Sequence, residues 1–175
     1  VAISGTAGIA IELIRLFQTE LEHYEKLEGS RLSLEGKANH LAAMVRAQLP
    51  MAFQGLVVVP LFCGFDEESR RGRLYTFDVV GGRYEETDYA AAGAGGRDAK
   101  AYLRTAFREG LSEAEARQMA VEALVAAAEE DSATGGLDLQ RGIYPNVVVV
   151  SAAGYRELPE EQVAEAARRA MGAER

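Results

Sequence analysis

Asp131, Ser132 and Thr134 place one carboxylate and two hydroxyls within four residues, and Gly135-Gly136 closes the segment. A carboxylate accepts hydrogen bonds and protons, and a hydroxyl both donates and accepts. Such a set can orient a proton or hold a polar group of a ligand. The turn falls between a long alanine-rich helix and an apolar run at residues 147–150, which reads as a buried strand. Paired glycines permit backbone angles that other residues resist. Loops held by a rigid scaffold are where binding and catalysis concentrate. The same residues also suit a plain helix C-terminal turn, with Asp and Ser bonding nearby backbone groups. Residue types alone favour that plainer reading.

Other candidates are weaker. Gly93-Ala94-Gly95-Gly96 sits between a strand and a helix, where backbone N–H groups can face an anion and a small molecule could bind. It does not complete a dinucleotide fingerprint, since position 98 is Asp98, and a tight strand-to-helix turn explains it as well. His23 and His40 lie in helices without an acidic or cysteine cluster at metal-ligand spacing, so no metal site is expected. Glu129-Glu130-Asp131 reads as a solvated face, from which Asp131 can turn inward. Gly5 reads as the glycine that opens the first helix.

The elements that must position these residues follow from periodicity. Leu13, Ile14, Phe17, Leu21 and Tyr24 recur at helical spacing, with Ser4 or Thr6 as cap and Glu28-Gly29-Ser30 as stop. A second helix covers residues 34–49, capped by Ser33 and followed by Pro50. The period then changes. Residues 56–62 read as a strand buried on both faces, in which Pro60 marks an edge or a bulge. Residues 73–80 and 83–92 are two more strands, joined across Gly81-Gly82. Helices are expected over residues 97–108 and up to residue 129, the latter opened by a Ser112/Glu115 capping box. A hairpin across Ala153-Gly154 and a helix over residues 160–171 complete the order. Helices outside and strands inside give an α+β class.

With 175 residues and 48% hydrophobic content, the chain can bury a sizeable core. Its net charge of −8 argues against a nucleic-acid partner and offers an anionic membrane nothing basic. Cys63 is the one cysteine; its apolar neighbours predict a buried small hydrophobe. A cytoplasmic location is expected. The opening VAISGTAG reads as the end of a strand running into a helix, which predicts that upstream strands are missing from this sequence.

Three stretches carry a resemblance. DSATGG followed by DL and RGIYP ahead of the valine-rich strand, LEHYEKLEG at residues 21–29, and SGTAGIAIEL at residues 4–13 are similar to actinobacterial proteasome β subunits, in order along essentially the whole chain. The resemblance implies a four-layer αββα sandwich of the N-terminal-nucleophile hydrolase class, as one domain over residues 1–175 that is incomplete at its N-terminus. It implies a threonine-type endopeptidase that degrades unfolded proteins inside a closed chamber of stacked seven-membered rings, with α subunits and other β subunits as partners and no cofactor. Gly5 would match the oxyanion-stabilising N–H, and Ile3 and Ala7 the floor and wall of the side-chain pocket. Asp131 and Thr134 would match the carboxylate and hydroxyl that hold the terminal threonine. The family's Gly-Ser-Gly turn has Ala94 in place of its serine here. The nucleophile itself would precede Val1, so the chain as given cannot perform the chemistry. A non-catalytic structural subunit of the same ring is the alternative.

Overall fold

The computed structural model describes residues 1–172. The chain divides into two units, Val1–Gly93 and Ala94–Arg175. In chain order the first unit contains β1 (Ala2–Gly5), α1 (Ala7–Glu28), α2 (Leu34–Ala47), α3 (Leu49–Ala52), β2 (Val58–Asp66), β3 (Arg71–Phe77) and β4 (Arg83–Glu86). Its strands form one antiparallel sheet in the order β1-β2-β3-β4.

Two periods meet in the core of this unit. Ala10, Leu13 and Phe17 recur every three to four residues along α1, and Ala38, Leu41, Ala42 and Val45 do so along α2. Val58 and Phe62 alternate onto the same face of β2, as Tyr75 and Phe77 do on β3. These side chains form one buried cluster, with Phe17 edge-on to Phe62 and Phe62 stacked on Tyr75, both at 6.1 Å. Leu41 is fully buried, which contributes about 1.5–3 kcal/mol relative to exposure. Ser33 caps α2 by accepting the Gly36 N–H at 3.0 Å, as expected. At the end of α1, Gly29 adopts a left-handed conformation and its N–H returns to Glu25 O.

Several sequence expectations are corrected in this unit. Thr6 occupies the N-cap position of α1 without a side-chain cap bond, and the Ser4 hydroxyl donates instead to Val59 O across the sheet. Pro50 opens the short α3, where its missing N–H is harmless, rather than following a helix that ends at residue 49. Pro60 lies in an interior strand. It is tolerated because the ladder to β3 begins one residue later, at Leu61, so the missing donor falls at the ladder's end. Strand β2 is buried on one face only: Cys63 alternates to the side opposite Phe62 and is exposed. The strand expected over residues 73–80 stops at Phe77, because Asp78 takes over the chain. Its carboxylate accepts the Gly82 N–H at 2.7 Å, the Val80 N–H at 3.0 Å and the Tyr84 hydroxyl at 2.8 Å. Those bonds, the Gly82 one foremost, hold the Asp78 carboxyl below its usual range. The third strand shrinks to four residues: its pairing with β3 ends at Glu86 opposite Leu74, although β3 itself runs on to Arg71.

The second unit contains α4 (Gly96–Ala106), α5 (Glu113–Glu130), β5 (Val148–Ser151), β6 (Gly154–Glu157) and α6 (Glu160–Ala170). The expected capping box is formed: Ser112 and Glu115 bond reciprocally at the start of α5. Helix α4 packs along α5, and α5 packs on α6. Val121, Ala166 and Ala167 are buried between them, with Leu137, Leu139, Tyr144 and Val147 against that cluster. Polar groups brace the same helices. Gln118 donates to Ala166 O and to Glu122, Arg117 donates to Gln162, and Tyr102 donates to Glu122. The expected hairpin forms between β5 and β6 with Ser151 opposite Gly154. Strand β5 is half-buried rather than buried, since β6 is its sole strand partner among the described residues.

Candidate active site

Helix α5 is long enough to carry its last residue clear of the packed cluster, and the chain turns there. Asp131 is the C-cap, in extended conformation, with its N–H bonded to Ala127 O at 2.9 Å. Thr134 comes back onto it: the Thr134 N–H donates to Asp131 O at 3.1 Å, and the Thr134 hydroxyl donates to Asp131 Oδ2 at 2.5 Å. Both side chains are half-buried, while Ser132 and Ala133 are exposed. The carboxylate and the hydroxyl that the resemblance singles out are therefore bonded to each other, within one turn.

The glycines contribute differently from what the sequence predicts. Gly135 and Gly136 are not at positive φ, and neither has a close neighbour that a side chain would strike. Gly95, just before α4, is the glycine that matters. Because α4 packs back along α5, its first residues lie at the end of α5, and the Gly95 N–H donates to Thr134 Oγ1 at 3.1 Å. The sequence signal was the glycine run at residues 93–96, but nothing in it pointed to Thr134. That bond also bears on the anion reading of the turn: the Gly95 N–H is engaged inside the chain, and Asp98 places a negative charge in the first turn of α4.

In the first unit, Ile3, Gly5 and Ala7 are brought together at the junction of β1 and α1, and all three are exposed. Among the described residues, strand β1 is an outer strand of its sheet. The Thr6 N–H bonds to Val57 O at 2.8 Å, and Gly5 pairs with Val58, so Gly5 forms a non-hydrogen-bonded pair with β2. Its N–H consequently faces away from β2, along the open edge. Gly5 is held at φ 109°, and a Cβ there would stand 2.0 Å from Val57 O. An open-edge N–H on a residue that only glycine can be is suited to receive an oxyanion or a peptide carbonyl.

Several tightly bonded side chains outside this turn are structural. Burial first, and the Glu122 bond second, push the Tyr102 phenol up to about 12. The bidentate Arg73 pair, at 2.8 and 2.7 Å, holds the Glu85 carboxyl low. His40 bonds Glu20 at 2.5 Å and stacks on Phe17, joining α2 to α1. Among the described residues no group of three or more His, Cys, Asp or Glu side chains could hold a metal ion. No helix among them is long and apolar enough to cross a membrane. Two cavities in the second unit were not foreseen. One of about 180 Å³ is lined by Leu124, Leu137, Ile143 and Tyr144, next to Gly135 and Gly136. The other, about 230 Å³, lies between Tyr144, Glu157 and Val163.

Residues 1–138 match the family described as "Proteasome subunit". The chain belongs to the proteasome subunit family. Its α+β class, with helices packed on an antiparallel sheet, is that of the family's N-terminal-nucleophile hydrolase fold. Among curated relatives, the "Proteasome subunit beta" of Acidimicrobium ferrooxidans is 58% identical over 167 residues, covering 95% of this chain and 61% of that protein. That of Acidothermus cellulolyticus is 56% identical over 167 residues, covering 93% and 58%. That of Streptomyces griseus is 51% identical over 168 residues, covering 96% and 60%. The chain thus spans about three fifths of the length of these proteasome relatives.

Proposed function

We propose that the chain is the β subunit of a proteasome and supports a threonine-type endopeptidase. The observation that carries this is identity of 51–58% to proteins named proteasome subunit beta over nearly the whole chain. The geometry supports it. Asp131 and Thr134 form an anionic, hydrogen-bonded pair suited to hold an amine, and Gly5 offers an outward N–H to a carbonyl oxygen. Ile3 and Ala7 flank Gly5 with apolar surface and would line the pocket for the substrate side chain before the cut. These residues support a nucleophile and do not include one.

The reading treats residues 1–175 as one β-type domain. It places the subunit in the cytoplasm, in stacked seven-membered rings with α subunits and other β subunits, where unfolded chains are cut inside a closed chamber without a cofactor. One observation favours a structural, non-catalytic subunit: Ala94 lacks the hydroxyl that the family's turn supplies. The test uses the full-length subunit assembled with its α partner. Asp131→Asn should lower peptide cleavage by about a hundredfold while light scattering still finds the large particle. Undiminished turnover in assembled Asp131→Asn particles refutes the assignment. Absence of cleavage in assembled wild-type particles favours the structural subunit.

A further inference from the structure

The direction of the Thr134 hydroxyl is set by its two neighbours. Its oxygen lies 2.5 Å from Asp131 Oδ2 and 3.1 Å from Gly95 N. A backbone N–H only donates, and an ionised carboxylate only accepts. The hydroxyl proton therefore goes to Asp131, and one of the oxygen's two lone pairs takes the Gly95 N–H. What remains on Thr134 is a single accepting position beside a negative charge.

Gly95 is at φ −80°, which any residue adopts, so backbone conformation does not require a glycine there. Close approach does. A Cβ on residue 95 would stand 2.5 Å from Thr134 Oγ1 and 2.9 Å from the Ala127 Cβ. Ala127 is buried in α5 and has no flexible side chain with which to yield. The space left by the missing side chain is the space the hydroxyl uses. With alanine at 94, that neighbouring position supplies no hydroxyl to orient the pair.

We propose that Gly95 is a positioning residue that makes Thr134 a pure hydrogen-bond acceptor next to Asp131, so that the pair takes an N–H donor such as the ammonium or amine of a chain terminus. The proposal rests on the reading of Asp131 and Thr134 as active-site residues. It adds the origin of their geometry, which lies in the missing side chain at residue 95.

The experiment uses the full-length subunit in assembled particles and a fluorogenic peptide. Gly95→Ala should lower kcat by roughly tenfold or more with KM within about twofold. Thr134→Ala should fall about as far, whereas Thr134→Ser, which keeps the hydroxyl, should retain activity to within about fivefold. The double variant Gly95→Ala/Thr134→Ala should lose no more than the worse single variant, because both changes act on the same hydroxyl and the Ala127 contact is already present in Gly95→Ala. Losses that multiply in the double variant overturn the proposal. If Gly95→Ala does not assemble, the bond is read directly as deuterium uptake at the Gly95 amide. Protection should persist in Thr134→Ser and drop about fivefold or more in Thr134→Val, which has no acceptor. Equal uptake in the two variants overturns the proposal. Failure of the underlying reading looks different: Asp131→Asn and Thr134→Ala would both cleave at the wild-type rate while the Gly95 amide of the wild-type chain stays protected, and the proposal would fall with it.

Discussion

Replacing Gly5 with alanine adds one methyl group at a place where the surroundings are backbone. The new Cβ would stand 2.0 Å from Val57 O and 2.9 Å from its carbonyl carbon. Neither atom can swing away as a side chain end would, because the same carbonyl accepts the Thr6 N–H at 2.8 Å. The residue is also at φ 109°, a conformation that L side chains rarely adopt and that costs about 1–3 kcal/mol. Forcing a methyl into filled space adds about 1–3 kcal/mol more. A combined loss near 4 kcal/mol, with a urea slope of about 2 kcal/mol per molar, lowers the unfolding midpoint by roughly 2 M. Gly8→Ala is the control. It lies three residues on, in the first turn of α1, with nothing within 4 Å of the added methyl. There the same change should raise stability by about half a kcal/mol through helix propensity. The chain has no tryptophan, so tyrosine fluorescence, with Tyr75 in the core of the first unit, follows urea unfolding of both variants. A Gly5→Ala midpoint equal to or above that of Gly8→Ala would refute the steric argument.

Two further outcomes are expected. Ala7→Phe in assembled particles should reduce cleavage after Tyr more than after Leu, and wild-type particles should prefer both to Arg or Glu, since neither Ile3 nor Ala7 offers a charge to pair; a panel of four fluorogenic peptides checks this, and an unchanged profile counts against it. The Asp78 carboxyl is held below its usual range in the fold, so the unfolded chain takes up its proton at higher pH. Its contribution is then present above the unfolded carboxylate value of about 3.9 and is lost as pH falls through the lower folded value. Urea midpoints between neutral and acid pH should decline less in Asp78→Asn than in wild type, and parallel curves would exclude the role given to Asp78.

Local signals in the sequence carried over where they depend on local chemistry. Ser33 and the Ser112/Glu115 pair cap their helices as read, and the helical spacing around Phe17 and Leu41 marks the buried faces. Residue types alone favour a plain turn at Asp131 to Thr134; the resemblance singles out the two residues, and the turn that bonds them is local. What was not legible depended on partners distant in sequence. The acceptance of Pro60 in an interior strand depends on where the pairing of β2 with β3 begins. The exposure of Cys63 depends on which face of β2 the helices cover, and an apolar run alone does not report that. The role of Gly95 depends on Thr134, 39 residues away, and no periodicity links the two. Asp78 was hidden because its effect is to end a strand whose residues otherwise continue the pattern.

Cys63 turns the layering of the fold into a question of reagent access. The chain carries one thiol, and it points off the sheet face opposite the Phe62 core. A maleimide or similar alkylating label therefore has a single address on this sheet. If a second sheet closes over that face in the assembled particle, as sheet-on-sheet packing about 10 Å apart requires, the thiol is sealed and labelling stops. Label occupancy on the Cys63 peptide then gives the fraction of subunits in which that layer is open.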